Sequence, residues 1–113
     1  SRSAPASLRR MILLRSTYSG TPDEVGALRE AHLEWLGGLV ADGVVIAAGR
    51  FEDGSGAGVL GAGSDAAALL KDFDADPYVV GGVASYAEVA TFPAAMGGDE
   101  IKRLDARELP QEG

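Results

Sequence analysis

Apolar residues fall into short continuous runs and helical stripes, separated by glycine, proline and acidic breaks. Arg9 to Ser16 has an apolar centre too short for a helix, which predicts a buried strand. Ser19 and Gly20 break it, and Thr21-Pro22-Asp23-Glu24 opens a helix. Thr21 caps, Pro22 suits the first helical position, and Glu24 closes a capping box. The helix is predicted to run to about Asp42, where Gly43 stops it. Val25, Leu28, Trp35, Leu36 and Leu39 form one stripe on the 3.6-residue period.

Val44 to Phe51 predicts a second strand, Glu52 to Gly56 a turn built on Asp-Gly, and Ala57 to Ala62 the returning third strand. Gly56-Ala57-Gly58-Val59-Leu60-Gly61 spells a dinucleotide fingerprint, but its glycines lie in the return arm of a hairpin. That motif requires a strand before the glycines and a helix opening on them. The run is instead read as a glycine-rich strand in close contact with another backbone. Ser64 caps a second helix with Asp65 in its first turn, and Ala66, Leu69, Leu70 and Phe73 form its apolar face. The helix ends before Asp76-Pro77, because a residue ahead of proline is driven out of the helical region. Val83 to Phe92 is the fourth strand and Pro93 stops it. Residues 94–98 read as a loop, Asp99 to Leu109 as a short charged helix, and the rest as a tail.

The predicted order is β-α-β-β-α-β, an α+β chain of ferredoxin-like subunit architecture. Right-handed crossovers place both helices on one face of the sheet. Met11 to Leu14 and Val44 to Ala48 are apolar at every position, the pattern of strands buried on both faces. With no helices left for the second face, another subunit is the simplest cover, so a homodimer is expected.

At 113 residues the chain fits one domain with one core. The domain is placed over residues 11–92, between a flexible tail (1–10) and a C-terminal extension (93–113). Net charge of -7 argues against a nucleic-acid partner, which calls for a basic face. The absence of cysteine excludes disulfides, thiolate metal sites and a cysteine nucleophile. No apolar run approaches the roughly 20 residues needed to span a membrane. Ser1 to Ser16 carries four arginines, with no acidic residue before Asp23. Such a segment resembles a transit peptide, but it is read as a short disordered tail, and the cytoplasm is the expected location.

Candidate chemistry centres on His32, the only histidine, and Asp76. His32 falls in the stripe of the first helix between Leu28 and Leu36, so it faces the core or a pocket in it. Burial as a neutral structural histidine and a functional role both fit. Asp76 reads equally as the cap of a turn starting at Pro77 and as a site residue. The handedness rule makes the two helices neighbours, which brings Asp76 within hydrogen-bonding reach of His32. A pocket beside them is expected to be lined by Trp35, Phe51 and Tyr78. Ser85 and Tyr86 are weaker candidates for a ligand contact and read more simply as ordinary strand residues. A lone His and Asp are too few for a metal site unless Glu34 or Glu88 joins them, so neither metal nor cofactor is expected.

The chain resembles the YciI-like proteins (YCII-related domain). The resemblance rests on Ala31-His32-Leu33, Gly43, Ala48-Gly49, Asp53-Gly54 and Asp74-Ala75-Asp76-Pro77-Tyr78, and covers about Met11 to Phe92. It implies a dimeric α+β barrel of ferredoxin-like subunits and a His-Asp dyad in a pocket, carried here by His32 and Asp76. Relatives usually have Gly-Pro after the second strand. This chain has Gly49-Arg50, and Arg50 adds a cation at the pocket mouth. A carboxylate bonded to one imidazole nitrogen raises the basicity of the other, giving a general base near neutral pH. With no serine or cysteine nucleophile evident, proton abstraction or elimination on a small-molecule substrate fits better than acyl-enzyme hydrolysis. Some relatives are associated with dehydrochlorination-type lyase chemistry. Tyr78 fits both as a donor to the ligand and as an aromatic packed on the helix end. Two other functions stay open: a non-catalytic binding or accessory dimer, and a cofactor-free monooxygenase or isomerase of the dimeric α+β barrel class.

Overall fold

The computed structural model describes residues 10–97. Of the predicted N-terminal tail (1–10), Arg10 belongs to the first strand, and the rest lies outside the described residues, as does the charged helix over Asp99 to Leu109. The observed elements are β1 (Arg10–Tyr18), α1 (Pro22–Ala41), β2 (Val45–Arg50), β3 (Gly56–Gly63), α2 (Ala66–Phe73), α3 (Pro77–Val80) and β4 (Ala84–Pro93). This is the ferredoxin-like order with a one-turn helix, α3, added between α2 and β4.

Local chemistry sets the helix ends. The Thr21 hydroxyl accepts from the Glu24 amide at 3.1 Å, and the Glu24 carboxylate accepts from the Thr21 amide at 2.8 Å, a complete capping box. Gly43 follows the α1 cap at φ 78°, a left-handed conformation that suits glycine. The α2 cap is Asp65 rather than Ser64. The Asp65 carboxylate accepts from the Ala68 amide at 2.8 Å, and an anion there complements the helix dipole.

The four strands form one antiparallel sheet in the order β2-β3-β1-β4. Ile12, Leu14, Val45 and Val59 meet Ala66, Leu69 and Phe73 of α2 in the main core, with Trp35, Leu36 and Leu39 of α1 packed against it. Each fully buried aliphatic or aromatic side chain here is worth roughly 1.5–3 kcal/mol. A second cluster of Val25, Tyr78, Val83 and Ala84 ties α1 to α3 and the start of β4.

β2 is an edge strand, contrary to the expectation that Val44 to Ala48 would be buried on both faces. Ala47 and Ala48 are exposed, and a run of alanine reads as apolar without demanding burial. The argument for cover on the far face therefore rests on other residues. Leu13 of β1 points away from the helices and is 37% exposed, and Phe92, on the same face through the Met11–Phe92 pair, is 48% exposed.

The glycine-rich strand β3 is central and closely approached. A Cβ at Gly56 would fall on the Ser16 carbonyl oxygen of β1, and one at Gly61 would lie 2.7 Å from Leu69 Cδ2 of α2. These glycines admit neighbouring groups, as a close-contact strand requires.

Candidate functional site

Two short-range devices place the site. His32 lies seven residues after Val25, on the same side of α1. Asp76 stands before Pro77 with φ −59° and ψ 128°, which takes it out of the helix and lets it cap α3. α3 then approaches α1 closely. A Cβ at Gly81 would sit 2.5 Å from Leu28 Cδ1, so glycine permits that approach one turn from His32.

His32 Nδ1 and Asp76 Oδ1 are 2.8 Å apart, a direct hydrogen bond. Asp76 Oδ1 also accepts from the Tyr78 amide at 2.9 Å, and Oδ2 accepts from the Tyr86 hydroxyl at 2.7 Å. Capping and bonding to His32 are thus done by one carboxylate at once. Asp76 is fully buried, whereas the His32 side chain retains 12% exposure. The Tyr78 ring stacks on the imidazole, with centroids 3.9 Å apart and planes 7° apart.

The electrostatics follow from these contacts. Burial would raise the Asp76 pKa, but the bonds from His32, Tyr86 and the Tyr78 amide, with the His32 charge, outweigh it and hold the carboxyl below its ordinary 3.8. Asp76 is therefore ionised at neutral pH and can only accept. His32 must then carry its proton on Nδ1, which leaves Nε2 as the basic nitrogen of the neutral ring. Burial and the bond to Asp76 push the Tyr86 hydroxyl well above its ordinary value, so it stays a donor.

His32 opens on a cavity of about 170 Å³ between α1, the end of β2, β3 and the tyrosines. Arg50 and Tyr78 line it with His32, as expected from the sequence. Trp35 and Phe51 do not. Trp35 turns toward α2, edge-on to Phe73 at 5.1 Å, and its ring centroid is 6.4 Å from that of His32. It supports the site from behind. Phe51 lies on the far sheet face. Arg50 pairs with Ala57 on the helix side, so alternation sends the next residue the other way. There Phe51 covers Gly58, with the Arg15 guanidinium 4.9 Å from its ring centroid.

Tyr86, only a weaker candidate from the sequence, lines the cavity, and so do Tyr18 and Arg29, which were not anticipated. Tyr86 is no ordinary strand residue. It alternates inward with Ala84, and a tyrosine on a buried strand face needs an acceptor. Tyr18 continues the inward series Ile12, Leu14, Ser16. Arg29 stands three residues before His32, on the same side of α1. Glu34 and Glu88 do not join the pair: among the described residues no group of three or more His, Asp or Glu could hold a metal ion. No helix among them is long and apolar enough to cross a membrane.

Fold and site together describe a small ferredoxin-like α+β protein in which a buried aspartate holds a cavity-lining histidine. The chain belongs to the YCII-related domain family, which it matches over residues 5–93. No curated protein matches it closely enough to count as a relative. Among solved structures it is similar to 5-chloro-2-hydroxyhydroquinone dehydrochlorinase (TftG) from Burkholderia phenoliruptrix, in complex with 2,5-dihydroxybenzoquinone. The TM-score is 0.54 at 16% identity, covering 80% of this chain and 96% of that one. At that identity the likeness is one of fold.

Proposed function

We propose that the protein is a small-molecule enzyme in which His32 and Asp76 act as a general acid–base dyad for proton abstraction or elimination. The observation that carries this reading is the 2.8 Å contact between His32 Nδ1 and Asp76 Oδ1, which sets the tautomer. An ionised, fully buried Asp76 accepts a hydrogen bond from the His32 Nδ1–H and leaves Nε2 as the unprotonated ring nitrogen beside a cavity. In the step, Nε2 removes a proton from a carbon next to an activating group. The C–H electron pair forms a C=C bond, and a leaving group on the adjacent carbon departs with its bonding pair. The imidazolium, paired with Asp76, returns its proton to the departing group, which completes an elimination. Where the adjacent carbon bears no leaving group, the electron pair instead delocalises into the activating group and the proton returns to another carbon, which is an isomerisation. The dehydrochlorinase with the same fold supports the lyase version.

The working unit of this proposal is a cytoplasmic homodimer, with Leu13 and Phe92 on the sheet face that a second copy would cover. Two sheets packed through those faces make a dimeric α+β barrel.

The test uses chlorinated hydroquinones and other activated carbon acids, with chloride release and deuterium uptake from D₂O as readouts. Wild-type protein is expected to turn over at least one class and His32→Ala none. Ligands that bind in the cavity and leave unchanged, without exchange, would sink the enzyme reading in favour of a binding module.

A further inference from the structure

We infer that the cavity beside His32 takes a small carboxylate, held by the guanidinium groups of Arg29 and Arg50 with the Tyr78 hydroxyl as a further donor. This rests on reading the cavity as the ligand site and adds the class of ligand. The chain carries a net charge of -7, yet two arginines from different elements, α1 and β2, line this one cavity and no acidic residue does. Asp76 is turned away beneath His32, fully buried and occupied by its three donors. Among the described residues no ion pair involves Arg29 or Arg50, and the Arg50 guanidinium makes a cation–π contact with Tyr18, 5.8 Å from its ring centroid. Arginine matches a carboxylate with a planar fork of donors.

The second observation is Tyr78 itself. It is 2% exposed, lines the cavity, and its hydroxyl has no hydrogen-bond partner. A buried donor left unmade is costly, and a ligand oxygen would satisfy it. Burial raises the Tyr78 pKa, and Tyr18 and Asp76 add to the rise, while Arg29 and Arg50 pull against it. Tyr78 also stacks on His32, so an anion held there is anchored next to the base. The same cations would stabilise the negative charge that develops when a proton is taken from the carbon beside an acid group. The cavity, at about 170 Å³, suits a small acid.

The experiment compares benzoate, salicylate and acetate with neutral benzamide by calorimetric titration and thermal shift. It uses the full chain and the variants Arg29→Gln, Arg50→Gln, the double variant, and Lys71→Gln as a control on α2. At least one carboxylate is expected to bind about tenfold or more tighter than benzamide, and each cavity arginine variant to weaken it about tenfold, with the control unchanged. Equal binding of benzoate and benzamide, full affinity in the double variant, or no binding by any carboxylate would each overturn the inference. Titration of His32→Ala separates it from the proposed chemistry. Carboxylate binding that survives while no substrate is turned over by wild-type protein leaves the subsite standing and removes the acid–base reading.

Discussion

Asp76 and His32 lie 44 residues apart in the chain and 2.8 Å apart in the fold, and the same Asp76 oxygen caps the helix whose Tyr78 stacks on the imidazole. One carboxylate therefore sets the ring's tautomer, its tilt and the neighbour that sandwiches it. Asp76→Asn keeps the shape but removes the charge that requires Nδ1–H. We expect a folded protein destabilised by about 1–3 kcal/mol in denaturant titration, with turnover lowered a hundredfold or more. His32→Ala should keep the assembly and abolish turnover. Unchanged turnover in Asp76→Asn would count against the dyad.

Tyr86→Phe removes a donor from Asp76 Oδ2 and should cost about 2 kcal/mol at neutral pH, as expected for a hydrogen bond to a charged group. The pH dependence has a definite sign. Asp76 has a folded pKa below its ordinary 3.8, so its contribution is fully present above that value and is lost as pH falls through the folded pKa. Losing the Tyr86 bond raises the folded pKa. Wild type and variant should then differ most at neutral pH and converge in acid once Asp76 is protonated. Melting curves from about pH 7 to about pH 3 check this, and a gap that persists in acid would mean that Tyr86 acts through packing alone.

Sedimentation equilibrium at micromolar concentration should give twice the 11.6 kDa chain mass. Leu13→Glu puts a charge on the far sheet face and should give a folded monomer. Val45→Glu should instead unfold the protein, because Val45 is 2% exposed within the helix-side core. A wild-type monomer at 11.6 kDa would rule out the dimer.

Gly56→Ala should destabilise by about 1–3 kcal/mol or more, as overpacking does, because its Cβ would collide with the Ser16 carbonyl. NAD(P) and ATP should give no thermal shift, since ligand stabilisation requires binding to the native state. A shift that saturates at micromolar nucleotide would reinstate Gly56 to Gly61 as a phosphate loop.

The chain's local chemistry was sufficient for much of this structure. The Thr21–Glu24 box, the Gly43 stop, the Asp53-Gly54 turn and the Asp76-Pro77 break act over a few residues, so their letters alone mark where elements begin and end. Periodicity put His32 on the inward side of its helix, and handedness put Asp76 near it. What pattern could not supply was anything fixed by register or by the far side of a contact. Phe51 went to the opposite face because one step along a strand reverses a side chain. β2 lies at the edge because pairing order is settled between strands, while its alanines look apolar wherever they lie. Tyr86 was no more than a weak candidate until Asp76, ten positions earlier, was turned to meet it. Arg29 was one more helical cation until β2 brought Arg50 to the same cavity. These are long-range pairings, decided by the packing of α1 and α3 over the sheet, and a sequence carries them only as the sum of many weak preferences.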